Sequence, residues 1–136
     1  MSRAIHLNIS IGNSFIERFS GDGILVSTPA GSTAYNYSLG GSIVDPRLNL
    51  LQVTPIAPMN TTAYRSLTSS IILPPDLSIR IYPENNDNQG LLIVPDGKEF
   101  LHEGVEEIHM KFSESIVKLL RLESYDFWNK VKSKFL

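Results

Sequence analysis

Ile5, Leu7, Ile9 and Ile11 alternate with His6, Asn8 and Ser10 near the start of the chain. A period of two places one set on each face of an extended segment, which predicts a half-buried strand. Gly12-Asn13 follows as a two-residue hairpin signal, with glycine supplying the positive φ that such turns need. The returning strand is expected over Ser14 to Phe19. Gly21-Asp22-Gly23 is a second turn, and Ile24 to Val26 is a short apolar run suited to a strand buried on both faces.

The pattern changes after Pro29. Ser32 to Leu39 fits a short helix ended by Gly40-Gly41, with Thr28 or Ser32 as its cap. Strand candidates then recur over Leu50 to Ile56, Ser70 to Leu73, Leu77 to Tyr82, Leu91 to Val94, Lys98 to His102, Glu107 to Phe112 and Ile116 to Leu122. Turn signals separate them at Pro74-Pro75-Asp76, Asn85-Asn86-Asp87-Asn88, Asp96-Gly97 and Glu103-Gly104. Many short strands at close spacing predict a mainly β fold, a β-sandwich. Near the end, Asp126 can cap a helix whose Phe127, Val131 and Phe135 share one face. Lys130, Lys132 and Lys134 lie toward its C-terminal end, where positive charge is favoured.

Composition narrows the partners. The 136 residues make one domain of ordinary size (1–136), with neither repeat nor long linker. A net charge of -2 argues against a nucleic-acid partner, which leaves a basic footprint. Without cysteine there is no disulfide framework and no thiolate metal site; a cytoplasmic location fits. No apolar run approaches the roughly 20 residues that span a bilayer, and no signal peptide is expected before the first strand.

Common chemical motifs are missing. There is no Walker-type phosphate loop and no G-x-G-x-x-G between a strand and a helix. His6, His102 and His109 are scattered at polar phases of strands and read as solvated faces rather than metal ligands; no metal site is expected in this chain. The glycine region stands apart. Two glycine turns and a helix start would leave amide N–H groups free for an anion or a carbonyl. Asp22 can accept bonds from a ligand amide or from sugar hydroxyls, and Tyr35 can stack on a planar ring. Taken separately, the same residues read as a tight turn and a capped helix with Tyr35 packed.

Gly21-Asp22-Gly23, Thr28-Pro29-Ala30-Gly31-Ser32-Thr33-Ala34-Tyr35, Ser38-Leu39-Gly40-Gly41 and Pro46 together resemble the second motif region of NAD kinases. Ile56-Ala57-Pro58, the strand ending at Pro74, Asp96-Gly97, Leu120-Arg121-Leu122 and Phe127-Trp128 extend the resemblance over essentially the whole chain. Members of that family transfer a phosphoryl group to the 2′-hydroxyl of the adenosine ribose of NAD, giving NADP. The donor is ATP or polyphosphate, with magnesium. An N-terminal α/β domain bears a G-G-D-G motif; a C-terminal β-sandwich supplies much of the dinucleotide pocket and of the oligomer contacts. The resemblance implies that Asp22 faces the nicotinamide end, and that Thr33, Ala34 and Tyr35 line the adenosine and nicotinamide riboside sites. Ser38 sits nearby, and Ala57 offers backbone groups. Ala30, Gly31, Ser32 and Arg65 are weaker candidates for ligand contact. A homodimer or homotetramer is implied.

Three departures qualify this. Position 30 is Ala, where many relatives carry Thr or Ser, so one hydroxyl contact is replaced. Met59 to Thr68 lacks the family's Pro-His and Arg-Pro pattern and reads as a longer loop. No G-G-D-G occurs, and Glu84-Asn85 lies far downstream of where the family's Asn-Glu pair is expected. Phosphoryl transfer needs positioning, charge neutralisation and a base at the attacking hydroxyl. The chain therefore reads as the C-terminal half of such an enzyme, inactive alone and without a catalytic residue of its own. A diacylglycerol- or sphingosine-type lipid kinase half and a non-enzymatic all-β oligomerisation module are the alternatives.

Overall fold

In a computed structural model, residues 4–84 and 90–136 are described. The turn expected at 85–88 lies outside them. The first strand, β1 (Ile5–Ile11), returns through Gly12-Asn13 into β2 (Ser14–Gly21), as the alternation predicts. Gly12 takes φ +57° and its amide donates to the Ser78 carbonyl. β1 also pairs antiparallel with β6 (Ser78–Pro83), which pairs with β9 (Ile108–Lys111), so one sheet runs β2-β1-β6-β9. A second sheet contains β3 (Gly23–Ser27), β4 (Leu51–Ile56) and β5 (Ile71–Leu73), all antiparallel. A separate hairpin joins β7 (Leu91–Ile93) to β8 (Phe100–His102) through the Asp96-Gly97 turn.

The two larger sheets form the sandwich. Its core takes Leu7, Ile9, Phe19, Ile79 and Ile81 from one sheet and Val53 and Leu73 from the other. Facing apolar rows from two sheets exclude water from one shared layer. The corner between them is Gly21-Asp22-Gly23. A Cβ at Gly21 would stand 2.6 Å from the Phe19 ring and 2.8 Å from the Ala57 carbonyl, so only glycine fits this close backbone approach.

Four expectations change. The alternation along β2 breaks at a bulge: Ile9 pairs with Glu17 but Ser10 with Phe15. The extra residue turns Phe15 outward, 61% exposed, and leaves Glu17 in the core-facing register. The single helix over 32–39 is two pieces, a 3-10 turn (Ala30–Thr33) and the one-turn α1 (Tyr35–Ser38), separated by Ala34 at φ -91°, ψ -132°. Helical turns thus begin inside the Thr28–Tyr35 stretch and not after it. Ile116 to Leu122 forms no strand of this sandwich. His6 is no solvated histidine: its ring stacks on Tyr64 at 4.3 Å, and its Nδ1 is buried with no partner among the described residues. The C-terminal helix α2 (Phe127–Phe135) forms as expected, with Asp126 accepting from the Trp128 and Asn129 amides. No helix among the described residues is long and apolar enough to cross a membrane.

Candidate functional site

The stretch from Thr28 to Gly41 leaves β3 and folds back over the second sheet, where Asn36 reaches Thr54, the partner of Leu25 in the middle of β3. Its side chains divide into two sets. Ser32 and Asn36 are fully buried, while Ala34, Tyr35 and Ser38 face solvent and Thr33 lies between. The buried set explains the exposed one. Ser32 Oγ donates to the Pro29 carbonyl (2.7 Å) and accepts from the Val44 amide (2.9 Å), so it pins the turn from within and does not cap a helix. Thr28 Oγ1 accepts from the Gly31 amide, which starts the 3-10 turn. Asn36 Nδ2 donates to the Ser32 and Ser42 carbonyls, and its Oδ1 accepts from the Thr54 hydroxyl at 2.6 Å. Gln52, also buried, accepts from the Ser42 amide and donates to the Ser42 carbonyl. Every polar group in this set has a partner, which fixes one conformation. Tyr35, flanked by two such anchors, stays 55% exposed and does not pack.

Asp22 and Ala57 form a second cluster at the opposite end of β3. The Asp22 amide donates to the Ile56 carbonyl at 2.9 Å, and the Asp22 side chain is exposed. Ala57 is exposed at φ +47°, a left-handed conformation that costs a non-glycine residue energy and collects at functional positions. The candidate residues thus come from two segments, the turn before β3 with the end of β4 and the stretch that follows β3. Ala30 is exposed beside the first group and Gly31 is half-buried.

Arg65 belongs to neither group. It lies in the 57–70 loop, where its amide donates to the Arg18 carbonyl. That loop covers the free edge of β2. The Met59 amide reaches the Ser20 carbonyl, the Ser20 amide reaches Ser66 Oγ, and the Leu67 amide reaches the Glu17 carboxylate. At its tip, Glu84 receives Arg18 at 2.8 Å and the Tyr64 hydroxyl at 2.8 Å. Burial pushes the Glu84 carboxyl up, but these two donors outweigh it and hold the carboxyl below the ordinary range. Across the molecule, Asp45 accepts both Arg47, bidentate, and the Trp128 indole N–H at 2.9 Å. The Arg47 hydrogen bonds hold its carboxyl far below the ordinary carboxylate range. Among the described residues no group of three His, Asp or Glu side chains is placed to hold a metal ion.

Sequence reasoning named the exposed row but missed Asn36, Thr54, Gln52 and Glu17. A polar residue amid a strand's apolar run, as Gln52 and Thr54 are between Leu51 and Val53, was the available signal.

Residues 1–122 match the family model described as the ATP-NAD kinase C-terminal domain. The chain belongs to the NAD kinase family. It is 38% identical over 136 residues to the NAD kinase of Lactobacillus johnsonii, covering 100% of this chain and 50% of that protein. With NAD kinase 2 of Listeria monocytogenes it shares 39% over 136 residues, 98% of this chain and 51% of that protein. Among solved structures, an NAD kinase from Archaeoglobus fulgidus in complex with ATP superposes with a TM-score of 0.67 at 26% identity, covering 83% of this chain and 41% of that one. Yeast NADH kinase complexed with NADH gives 0.62 at 34%, covering 77% and 29%. The chain spans about half the length of the curated NAD kinases it matches. Membership in this family sets the lipid-kinase reading aside.

Proposed function

We propose that this chain is the dinucleotide-binding half of an enzyme that phosphorylates NAD at the 2′-hydroxyl of its adenosine ribose. The observation that carries the reading is the match to the family's C-terminal domain over residues 1–122. Thr33, Ala34, Tyr35 and Ser38 hold one end of the dinucleotide, with the Tyr35 ring stacked on a planar part of it. Asp22 and the backbone at Ala57 receive the other end. A ligand with two recognisable ends suits two groups of contacts on two segments of the chain. Ala30, Gly31, Ser32 and Arg65 play at most minor parts; Ser32 has both its hydroxyl partners inside the protein.

The ribose O2′ attacks the terminal phosphorus of the donor, the bond to the leaving phosphate breaks, and the hydroxyl proton passes to a base. The base belongs to the G-G-D-G motif that this sequence lacks, and the donor and magnesium are assigned to that same missing half. Assembly as a homodimer or homotetramer, in the cytoplasm, belongs to the same reading. The β7–β8 hairpin and its flank expose Leu92, Val94, Phe100 and Leu101, apolar side chains that self-association would cover.

Titration calorimetry of this chain with NAD and NADP tests the proposal. Saturable binding is expected, weakened about tenfold by Tyr35→Ala, the equivalent of losing one stacking contact, and also weakened by Asp22→Ala. NADP formation from NAD and ATP by this chain alone should be undetectable. Dinucleotide binding untouched by both substitutions would sink the site assignment, and turnover by the isolated chain would sink the half-enzyme reading.

A further inference from the structure

β2 ends beside Asp22, and the 57–70 loop begins at Ala57. Ala57 is held at φ +47°, a conformation that persists only where its surroundings over-determine it. Before it, the Ile56 carbonyl is fixed by the Asp22 amide at 2.9 Å. After it, the chain is fixed by Ser66. Ser20 lies two residues before Asp22, and Met59 two residues after Ala57. The Met59 amide donates to the Ser20 carbonyl at 2.8 Å. The Ser20 amide donates to Ser66 Oγ at 3.0 Å, and Ser66 Oγ donates to the Met59 carbonyl at 2.9 Å. These three bonds close a ring across Ser20, Met59 and Ser66, in which Ser66 contributes the one side chain.

Ser20 and Ser66 are both buried, so the Ser20 amide needs a partner inside the protein. The loop residues on either side of Ser66 offer donors to β2: the Arg65 amide binds the Arg18 carbonyl and the Leu67 amide binds the Glu17 carboxylate. Between them a hydroxyl can accept and donate at once. Closing the edge of β2 needs only the bond from Ser20. The second bond, to Met59, ties that edge to the turn at Ala57. The Ser66 amide is itself held by Asn60 Oδ1 at 2.7 Å, which fixes the place from which the hydroxyl acts. There is no slack between the two turns. A Cβ at Gly21 would stand 2.8 Å from the Ala57 carbonyl, so a displacement on one side passes directly to the other.

We propose that Ser66 is a positioning residue of the dinucleotide site: its hydroxyl locks the Ala57 turn against the Asp22 turn, so that the Asp22 carboxylate and the Ala57 backbone meet a ligand at one fixed spacing. Ser66 is buried and acts through these two residues. The role rests on the reading of Asp22 and Ala57 as dinucleotide contacts. Without the hydroxyl, Ala57 relaxes toward negative φ and its backbone groups turn away. Thr33, Tyr35 and Ser38 stay in place, because Ser32 and Asn36 hold their stretch by separate bonds. Affinity then falls through one group of contacts and not through the other.

Amide chemical shifts of this chain, followed by NMR through a titration with NAD, test it. In the parent, NAD should move the amides of Asp22 and Ala57 and those of Tyr35 and Ser38. Ser66→Ala should raise the Kd for NAD about fivefold, through lost preorganisation of one group of contacts. It should remove most of the NAD-induced shift at Asp22 and Ala57 and retain the shift at Tyr35 and Ser38. Unaltered amides in β1 and β6 report an intact sandwich. Asn60→Ala, which frees the Ser66 amide, should give the same pattern with a rise of about twofold, and it carries the test if Ser66→Ala does not fold. An unchanged Kd in a folded variant overturns the proposal. Equal loss of the NAD-induced shift at both groups also overturns it, and leaves Ser66 a general support of the fold. A parent in which NAD moves neither Asp22 nor Ala57 overturns the reading of the site, and the proposal with it.

Discussion

Glu17 is a carboxylate placed where the strand register calls for an apolar side chain. It stands opposite Ile9, is 8% exposed, and lines a small, mainly apolar cleft that also takes in Val53, Leu67, Ser69 and Ile71. Burial pushes its carboxyl up from the ordinary 4.5, against the opposing pull of the Leu67 amide. A carboxyl whose pKa is higher in the folded state binds its proton more tightly there. Its contribution to stability is full below about pH 4.5 and is lost as pH climbs through the folded value. Glu17→Gln keeps an oxygen for the Leu67 amide and removes the charge. We expect the variant to melt a few degrees higher than the parent at pH 8, about 1 kcal/mol, with the advantage shrinking toward pH 4.5. Thermal melts of both proteins across this range check it; parallel curves would show that Glu17 carries no linked proton. Glu84 has the opposite sign. Its carboxyl is held low by Arg18 and Tyr64, so its contribution is present above the ordinary value and fades as pH falls below it. Glu84→Gln should therefore raise proteolytic cutting in the 57–70 loop at pH 7 and change it little at pH 3.

The elements most legible in the sequence are those fixed by local chemistry. The β1–β2 hairpin follows from alternation and Gly12-Asn13, the β7–β8 turn from Asp96-Gly97, and α2 from its Asp126 cap. Less legible are features set by partners distant in sequence. The bulge opposite Ser10 depends on which residue of β2 pairs there, and nothing local marks Ile16 as the extra one. The break at Ala34 depends on Asn36 reaching Thr54 and Ser42, and on Ser32 reaching Val44. The exposed row of the candidate site was readable through its resemblance to NAD kinases, whereas its buried support was not. That support makes a prediction of its own. Asn36→Ala removes two donated bonds and leaves the Thr54 hydroxyl unpaired in a dry site, at a cost of about 2–4 kcal/mol. Gly41→Ala should do comparable damage from the other side, because its Cβ would stand 2.3 Å from the Asn36 amide oxygen. In both variants hydrogen exchange should speed up first across 28–41, with β1 and β6 unaffected until global unfolding. Uniform acceleration over the whole sandwich would mean that the stretch is part of the core and not a separately held platform.

At the scale of the molecule, the sandwich and the tail answer to different constraints. All the residues of the hydrophobic core lie between Leu7 and Ile81, with Ile108 and Met110 packed against it. Nothing beyond Lys111 enters it. The contacts of the tail with the sandwich include an indole hydrogen bond to Asp45 and an aromatic contact to Tyr37, each worth about 1 kcal/mol. Deleting residues 113–136 should therefore lower the melting temperature by no more than about 10 °C, since 1 kcal/mol shifts a domain of this size by roughly 4–5 °C. The transition should stay cooperative, because the pairing of β6 with β9 and the two-sheet core survive intact. The same deletion also removes eight exposed large hydrophobic side chains, from Ile116 to Leu136. Loss of solubility on truncation would contradict the division, and loss of the cooperative transition would place the tail in the sandwich. Improved solubility with a modest loss of stability is the expected pair of results. Together they would mark the tail as a segment outside the sandwich core, held beside the candidate site by contacts that include Trp128 on Asp45 and Phe135 on Tyr37.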